Sequence, residues 1–335
     1  MSVFRINIYL TIKNFFLSFF ISEIKKTKKI IKFFSNKSQK KNIILTSQLR
    51  VGFILVLKYL KKISPDRKEI IISAYNLAEM INICKNLNLK IVHPKLNENL
   101  FLCENDLRKK INKRTLAVVT TNIFNSYSDS RKIKKICNIK KIPLIEDNAI
   151  YFGNFKKIND KKIYTGSFGD YSLNSFNIMK NISAMYGGSI ETNDKHFTEF
   201  ANKELNSYKK FPLIKFLTQS LIFLILKTIS IKLIYKLFFF NLIKKASIQK
   251  NLFILSLVYP SLKFKKKPFP NYYFTKMNYI SKNMIYLQIN DVENFNENHI
   301  AKKKNNAYYL KVFKNKKIAN VQTLNNEDSN FQNYN

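Results

Sequence analysis

The sequence is poor in glycine, arginine and acidic side chains. Of its 335 residues only 6 are glycine, and 59 lysines and arginines oppose 21 acids, which gives a formal net charge of +38. The three cysteines are far apart and odd in number, which argues against a disulfide framework and favours a reducing compartment. The three histidines are isolated from one another, so the sequence indicates no metal site.

The positive charge invites a nucleic-acid-binding interpretation, but its composition argues against one. The excess is almost all lysine, spread along the whole chain, as a coding bias towards A and T would produce. Arginine is the side chain best suited to base edges and bidentate phosphate contacts, and none follows Arg131. Nucleic-acid binding stays an alternative that charge alone favours, and steeply salt-dependent binding without a cofactor would support it.

Apolar runs alternate with helical patterns over the first two thirds of the chain. Hydrophobic residues make up 46% of the sequence, which is ample for a core. Runs that are apolar throughout, alternating with helices, specify a mostly parallel sheet covered on both faces. A short predicted strand begins at 43, and further predicted strands lie at 69–73, 90–96, 116–124, 142–145 and 171–176. The predicted helices lie at 51–62, 74–89, 104–113, 130–141 and 196–210.

Five of the six glycines fall within one stretch, 142–194. Glycine is retained where the backbone needs a positive φ or must approach another group closely. The stretch begins with a buried strand that ends at Asp147, and a second strand leads to Ser175 and Lys180. Since α/β folds bind ligands at the carboxyl ends of their strands, we predict the functional site here.

A lysine, an aspartate and a serine together suit pyridoxal phosphate. This cofactor needs a lysine amine for its Schiff base, a carboxylate for its pyridine nitrogen and hydroxyl or amide donors for its phosphate. Lys180, Asp147 and Ser175 could supply all three. An aspartate after a strand is more often a turn or helix cap, and one lysine among so many is more often solvated, so the residue types by themselves favour the structural explanation.

The order of the motifs and their amino-acid sequences are more specific than the residue types alone. The motifs are 145–149 (IEDNA), 166–170 (GSFGD), 175–180 (SFNIMK) and the pair 187–188 (GG). This series resembles the sugar aminotransferases of the DegT/DnrJ/EryC1/StrS family, whose signature is IEDxA, GxxGD, SFxxxK and then GG before a strand. The resemblance covers 46–194 well and 268–313 weakly.

The resemblance implies a fold and a set of site residues. The fold would be the α/β type I fold of pyridoxal-phosphate aminotransferases, with a helical apolar insertion and a short C-terminal α+β small domain. Lys180 would be the Schiff-base lysine, Asp147 the partner of the pyridine nitrogen and Ser175 a phosphate ligand. Arg50 and Asn177 stand at further cofactor-binding positions, Arg50 at the start of the helix that holds the phosphate in the family.

The resemblance also implies an activity and partners. The chain would transfer an amino group, usually from glutamate, to a keto-sugar nucleotide in cell-surface polysaccharide or lipopolysaccharide biosynthesis. Lys180 would also move the proton of the reaction, and two subunits would form a homodimer. We expect a cytoplasmic protein, with peripheral contact to the inner face of the membrane as an option.

Several positions depart from the family pattern. Leu49 replaces a glycine of the phosphate loop, Leu77 a turn residue near the ring-stacking position and Ile150 a glutamine that supports the cofactor. Asn177 stands where the family commonly has histidine. These changes favour an alternative, a weakened or non-catalytic member of the fold that acts as a scaffold at a membrane. A sugar dehydratase of the same family would have histidine in place of Lys180.

The chain divides by composition into four segments. These are an apolar and basic N-terminal segment at 1–42, the cofactor-binding domain at 43–210, a helical insertion at 211–267 and a small, short or truncated C-terminal domain at 268–335. The N-terminal segment lacks a small-residue cleavage site, so an amphipathic helix that packs on the main domain or on a membrane surface is favoured over a signal peptide. Lysines within 211–245 predict amphipathic helices that lie on a membrane, or else pack on protein.

Overall fold

The structure, a computed structural model, describes eight stretches of the chain. They are 8–22, 26–97, 100–122, 130–150, 152–153, 155–158, 161–251 and 273–291, the side chains of 156–158 excepted. The strands in them are β1 Asn42–Thr46, β2 Glu69–Ile72, β3 Lys90–Val92, β4 Thr115–Thr121, β5 Leu144–Asn148, β6 Phe155–Ile158, β7 Lys161–Tyr164, β8 Tyr171–Ser175 and β9 Gly188–Thr192.

Seven of these strands form one sheet in the order β1-β9-β8-β5-β4-β2-β3. The pairs from β8 through β5, β4 and β2 to β3 are parallel, whereas β9 runs antiparallel to both β8 and β1. The prediction of a mostly parallel sheet is therefore confirmed. Strands β6 and β7 form a separate antiparallel pair.

Helices cover the sheet and extend beyond it. They are α1 Ile12–Phe20, α2 Lys26–Ser38, α3 Leu49–Ile63, α4 Ala78–Asn86, α5 Glu104–Lys110, α6 Ser130–Ile139, α7 Lys195–Ser207, α8 Leu213–Ser230, α9 Lys232–Ile234, α10 Phe240–Ile248 and α11 Tyr279–Asn290, with a π-helical turn at Tyr235–Phe239 between α9 and α10.

The two faces of the sheet are covered by different helices. Helices α3, α4 and α7 pack on one face in a single hydrophobic cluster, in which α3 is buried from Val51 to Leu57. Helices α5 and α6 pack on the other face against β2, β4 and β5. Burial of one helix stripe against each sheet face is what holds this layered architecture together.

The second face departs from the expected apolar pattern where β5, β8 and β9 cross it. A chain of buried amides and hydroxyls runs from Asn122 through Asn148 to Ser172, and Asn174 donates to Glu191 at 2.8 Å. Burial raises the pKa of Glu191 to about 8, although its hydrogen bonds and Lys40 favour the charged form. A hydrogen-bonded network replaces apolar packing there, because the amides and hydroxyls of this chain bond to one another.

A second hydrophobic cluster joins α1, α2, α8 and α11 to the loop between β8 and β9. On α8 the inward stripe consists of Phe216, Ser220, Phe223 and Leu226. The outward side is also apolar, with Ile214, Leu217, Leu221 and Ile225 exposed. The expectation that lysines would keep one face of this helix charged is wrong for α8, because its only lysines, Lys215 and Lys227, lie near the two ends.

The four predicted segments stay a prediction. The first hydrophobic cluster draws on strands and helices of 43–210, whereas the second combines α1 and α2 with α8 and α11. Of the small domain at 268–335 the structure describes only 273–291, which contains α11. The rest of that predicted domain lies outside the described residues.

Candidate active site

The carboxyl ends of the parallel strands meet at one edge of the sheet. Thr121 of β4 pairs with Asp147 of β5, and Asp147 pairs with Leu173 of β8. Since side chains alternate between faces, Ser175 lies on the same face as Leu173 and Asp147, the face that α3 covers. Two of the predicted site residues are thereby brought to one face of one edge.

The lysine predicted to bind the cofactor interacts electrostatically with the predicted aspartate. Burial lowers the pKa of Lys180 to about 8, with Asp147 opposing that change and Arg50 reinforcing it. Burial raises the pKa of Asp147 to about 6, against the backbone hydrogen bond from Ala149 and the charge of Lys180. Strongly perturbed groups with a specific charge partner are a mark of functional sites.

The N-terminus of α3 borders the same edge. Its first turn follows Gln48, whose side chain forms no capping hydrogen bond. The peptide amides of a helix N-terminus attract anions when no side chain caps them. Gly188 lies so close that a Cβ there would come 2.5 Å from the Leu49 nitrogen, so the glycine allows β9 and this turn to meet.

Arg50 extends from the first turn of α3. Its guanidinium donates to the Tyr273 hydroxyl at 3.4 Å and lies 3.7 Å from the carboxylate of Glu79. It also lies within electrostatic range of Lys180, since it contributes to the lowered pKa of that amine. The predicted position of Arg50 at the site is consistent with these contacts.

The remaining predicted positions are exposed and form fewer contacts at the site. Asn177 is exposed and its side-chain oxygen accepts from the Ile178 amide at 2.7 Å, within the turn that leads to Lys180. Leu77 and Tyr75 are both half exposed. In the described structure Asn177 thus shapes the loop locally, whereas Lys180, Asp147, Ser175 and Arg50 lie around one edge.

The structure adds residues that sequence reasoning missed. The Thr275 hydroxyl donates to Ser47 at 3.2 Å, and the Asn76 amide donates to Thr121 at 3.0 Å. Ser47 directly precedes Gln48, so the segment from 273 onwards reaches the helix N-terminus at the site. No local pattern signals these contacts, because the partners are up to 228 residues apart.

A cavity of about 520 Å³ lies elsewhere, at the amino ends of β5 and β8. It is lined by residues that include Lys40, Lys134, Asp170 and Asp194, and Lys134 forms an ion pair with Asp170 at 2.6 Å. Lys180 and Asp147 do not line it. We assign the candidate site to the opposite edge, since parallel sheets bind ligands at their carboxyl ends.

Comparison with known proteins identifies the class. The sequence matches the DegT/DnrJ/EryC1/StrS aminotransferase family over residues 12–208, more than half of the chain. The protein belongs to this family, and its fold is the type I fold of pyridoxal-phosphate sugar aminotransferases. The resemblance seen in the motifs is therefore confirmed.

Particular relatives agree with this assignment. GDP-perosamine synthase from Vibrio cholerae is 30% identical over 126 residues, which are 37% of this chain and 33% of that protein. The chain thus spans about a third of that relative. The structure resembles Helicobacter pylori PseC (TM-score 0.61, 17% identity, 90% of this chain and 67% of that one) and apo Spr1654 from Streptococcus pneumoniae (TM-score 0.63, 13% identity, 93% and 71%).

The family uses pyridoxal phosphate, and the residues of the site fit this cofactor. Lys180 is partly exposed, has a lowered pKa and interacts electrostatically with the buried carboxylate of Asp147. The helix N-terminus beside them has no side-chain cap, and Gly188 allows β9 to pack closely against it. These are the groups that an aldehyde, a pyridine nitrogen and a phosphate require.

Proposed function

We propose that this protein is an aminotransferase that moves an amino group, from glutamate, to the ketone of a nucleotide sugar in cell-surface polysaccharide or lipopolysaccharide biosynthesis. The observation that carries the proposal is the electrostatically coupled pair of Lys180 and Asp147 at the carboxyl edge of the sheet. An amine whose pKa is lowered to about 8 is suited to bond formation and proton transfer.

Each residue has a proposed part. Bound pyridoxal phosphate would act as the electron sink that lets an amino group leave one carbon and join another. Lys180 would hold the cofactor covalently and afterwards carry a proton on its released amine. Asp147 would keep the pyridine nitrogen protonated. The α3 N-terminus, Ser175 and Arg50 would bind the phosphate.

The names of relatives support the substrate class. The V. cholerae relative is a GDP-perosamine synthase, and another, from H. pylori, is a UDP-4-amino-4,6-dideoxy-N-acetyl-beta-L-altrosamine transaminase, 23% identical over 159 residues. Spr1654 has been solved in PLP and PMP forms, the two states that an amino-group carrier alternates between. A nucleotide-sugar substrate follows from these names by analogy.

The assembly and location are also proposals. Type I enzymes complete each site across a subunit interface, so we propose a homodimer. We place the enzyme in the cytoplasm. Sedimentation equilibrium would test the assembly, with a monomer as the contradicting result.

The absorption spectrum of the purified full chain tests the function. We expect added pyridoxal phosphate to give a visible band that borohydride bleaches and that Lys180→Ala lacks completely. Lys203→Ala, at an external position on α7, is the matched control and should retain the band. Glutamate should then bleach the wild-type band, and a keto-sugar nucleotide should restore it.

The alternative is a scaffold of the same fold without catalysis. It is favoured by Leu49 and Leu77, which replace residues of the family's phosphate and ring contacts, and by Ile150. Absence of any band at saturating cofactor, in a chain that is folded by circular dichroism, would contradict the enzyme and support the scaffold.

A further inference from the structure

The helix α8 is apolar on two opposite sides. The inward stripe, from Phe216 to Leu226, packs in the second hydrophobic cluster. The outward stripe follows the same helical spacing through Ile214, Leu217, Leu221 and Ile225, and Ile214 is 79% exposed. A helix that is apolar all round belongs in a core or in contact with lipid, so the outward stripe calls for a covering partner.

Neighbouring elements extend this exposed apolar surface. Helix α1 lies beside α8, since the Phe15 and Phe223 rings are 4.9 Å apart and the Lys227 amine donates to the Ile8 carbonyl at 2.8 Å. On α1, Phe16 is half exposed and Phe20 is 84% exposed. The exposed apolar residues that continue beyond α8 are Ile231, Leu233, Leu237, Phe238, Leu242 and Ile248.

The charge around this surface has one sign. No aspartate or glutamate occurs between 205 and 290, and none precedes Glu23. The exposed lysines in α1 and in 213–250 are Lys13, Lys215, Lys232, Lys236, Lys244, Lys245 and Lys250. An apolar surface whose own helices carry lysines and no acidic residue is complementary to anionic phospholipid, because the lysines can reach headgroups while the apolar side chains enter the acyl boundary.

We propose that α1 and α8–α10 form a docking surface for the interface of an anionic phospholipid bilayer. By length and composition α8 could itself cross a membrane, with a mean hydropathy of 1.6 over 18 residues, of which 22% are buried. One such helix among the described residues is weak evidence for crossing. Phe216 and Phe223 are fully buried in the protein, so α8 lies on the membrane with its inward stripe still packed.

The inference is independent of the proposed function, because no residue of the surface belongs to the site. The proposed surface makes the chain a peripheral membrane protein, which is attached both by insertion of apolar side chains and by electrostatic attraction to the headgroups. Each lysine near an anionic surface contributes about 1 kcal/mol, equivalent to about fivefold in binding. Salt should therefore weaken the attachment, whereas loss of the apolar side chains should weaken it at any salt concentration.

Vesicle co-sedimentation of the full chain tests the surface. We expect binding to vesicles of phosphatidylglycerol and phosphatidylcholine, and at least about tenfold weaker binding to phosphatidylcholine alone. The triple variant Phe20→Ser, Ile214→Gln, Leu221→Gln should lose at least about tenfold in binding to the anionic vesicles. Ile139→Gln removes an equally apolar side chain, 71% exposed on α6, and should bind like the wild type.

Companion measurements distinguish docking on a bilayer from the other ways in which this surface could be covered. Circular dichroism confirms that each variant is folded, and the Lys180-dependent visible band follows the site separately. Equal binding to neutral and anionic vesicles, or unchanged binding by the triple variant, would overturn the proposal. So would a wild-type dimer that the triple variant splits, since a second copy would then cover the surface. Resistance to alkaline carbonate extraction would indicate a spanning helix and would also overturn it.

Discussion

Helices α3 and α8 are similar in apolar character but differ in their surroundings. Helix α3 is buried by the sheet, by α4 and by α7, so that nearly all of its apolar side chains have partners within the protein. Helix α8 has partners on one side only. The comparison shows that an apolar sequence specifies a helix, whereas the arrangement of the other elements decides which of its faces is covered.

The largest expected effect is a difference in the free energy of unfolding between a substitution in α3 and a substitution in α8. Phe53→Ala in α3 removes a side chain that is 0% exposed and should lower the free energy of unfolding by about 3–5 kcal/mol. Leu221→Ala in α8 removes one that is 58% exposed and should change it by less than about 0.5 kcal/mol. Urea unfolding followed by circular dichroism, in the absence of lipid, measures both.

A large loss for Leu221→Ala would show that the outward stripe packs on protein, and the contrast between the two helices would disappear. A small loss for Phe53→Ala would mean that α3 is less tightly packed than its burial indicates. The slope of the urea transition should stay constant if stability alone has changed.

An intermediate effect is expected where α3 meets β9. In Gly188→Ala the added methyl group would lie 2.5 Å from the Leu49 nitrogen and 2.7 Å from the Gln48 carbonyl carbon, so that backbone must move. We expect a loss of about 1–3 kcal/mol in stability and weaker binding of pyridoxal phosphate. Titration of the visible band with the cofactor measures the second effect.

His196→Ala, at an exposed position of α7, is the control and should stay within about 0.5 kcal/mol of the wild type. If Gly188→Ala bound the cofactor with wild-type affinity, the approach of β9 to the α3 N-terminus would have no part in the site.

The smallest effect is a shift in pH dependence. Lys180 must be neutral to bond to the cofactor, so the rate of band formation should rise with pH and level off above about 8. Asp147 favours the charged amine and Arg50 disfavours it. Asp147→Asn should therefore move the rise to lower pH, and Arg50→Gln to higher pH, each by up to about one pH unit.

Stopped-flow absorbance at a series of pH values measures both shifts, with Arg67→Gln, away from the site, as the control. Shifts of the same sign in the two variants would contradict the electrostatic arrangement at Lys180.

Much of the sheet could be predicted from sequence because its signals are local. The apolar run before Asp147 identified β5, the alternating pattern at 171–176 identified β8, and the ordered motifs identified the edge where ligands bind. The approach of Gly188 to Leu49 could not be predicted, since it depends on the pairing of β1 with β9 across more than 140 positions. The register of distant strands has no signature in either segment.

The parts that failed also have physical reasons. The polar network around Asn174 and Glu191 lies within two strands that are rich in polar residues, and only the cross-strand partners show why those residues are tolerated when buried. In α8 the lysines were given too much weight, because helical spacing alone does not say which stripe faces the core. The roles of Lys180, Asp147, Ser175, Asn177 and Arg50 in cofactor binding all stay predictions.

The outward stripe of α8 has a consequence for the protein in solution. Exposed leucine and isoleucine side chains attract other copies of the same surface, and the lysines around them keep copies apart by repulsion that acts over about 10 Å at 0.1 M salt. Added salt shortens that range, so it should promote self-association while it weakens attachment to lipid. The lysine excess thereby governs colloidal stability: it disperses the chain at low ionic strength and leaves it prone to aggregate at high ionic strength.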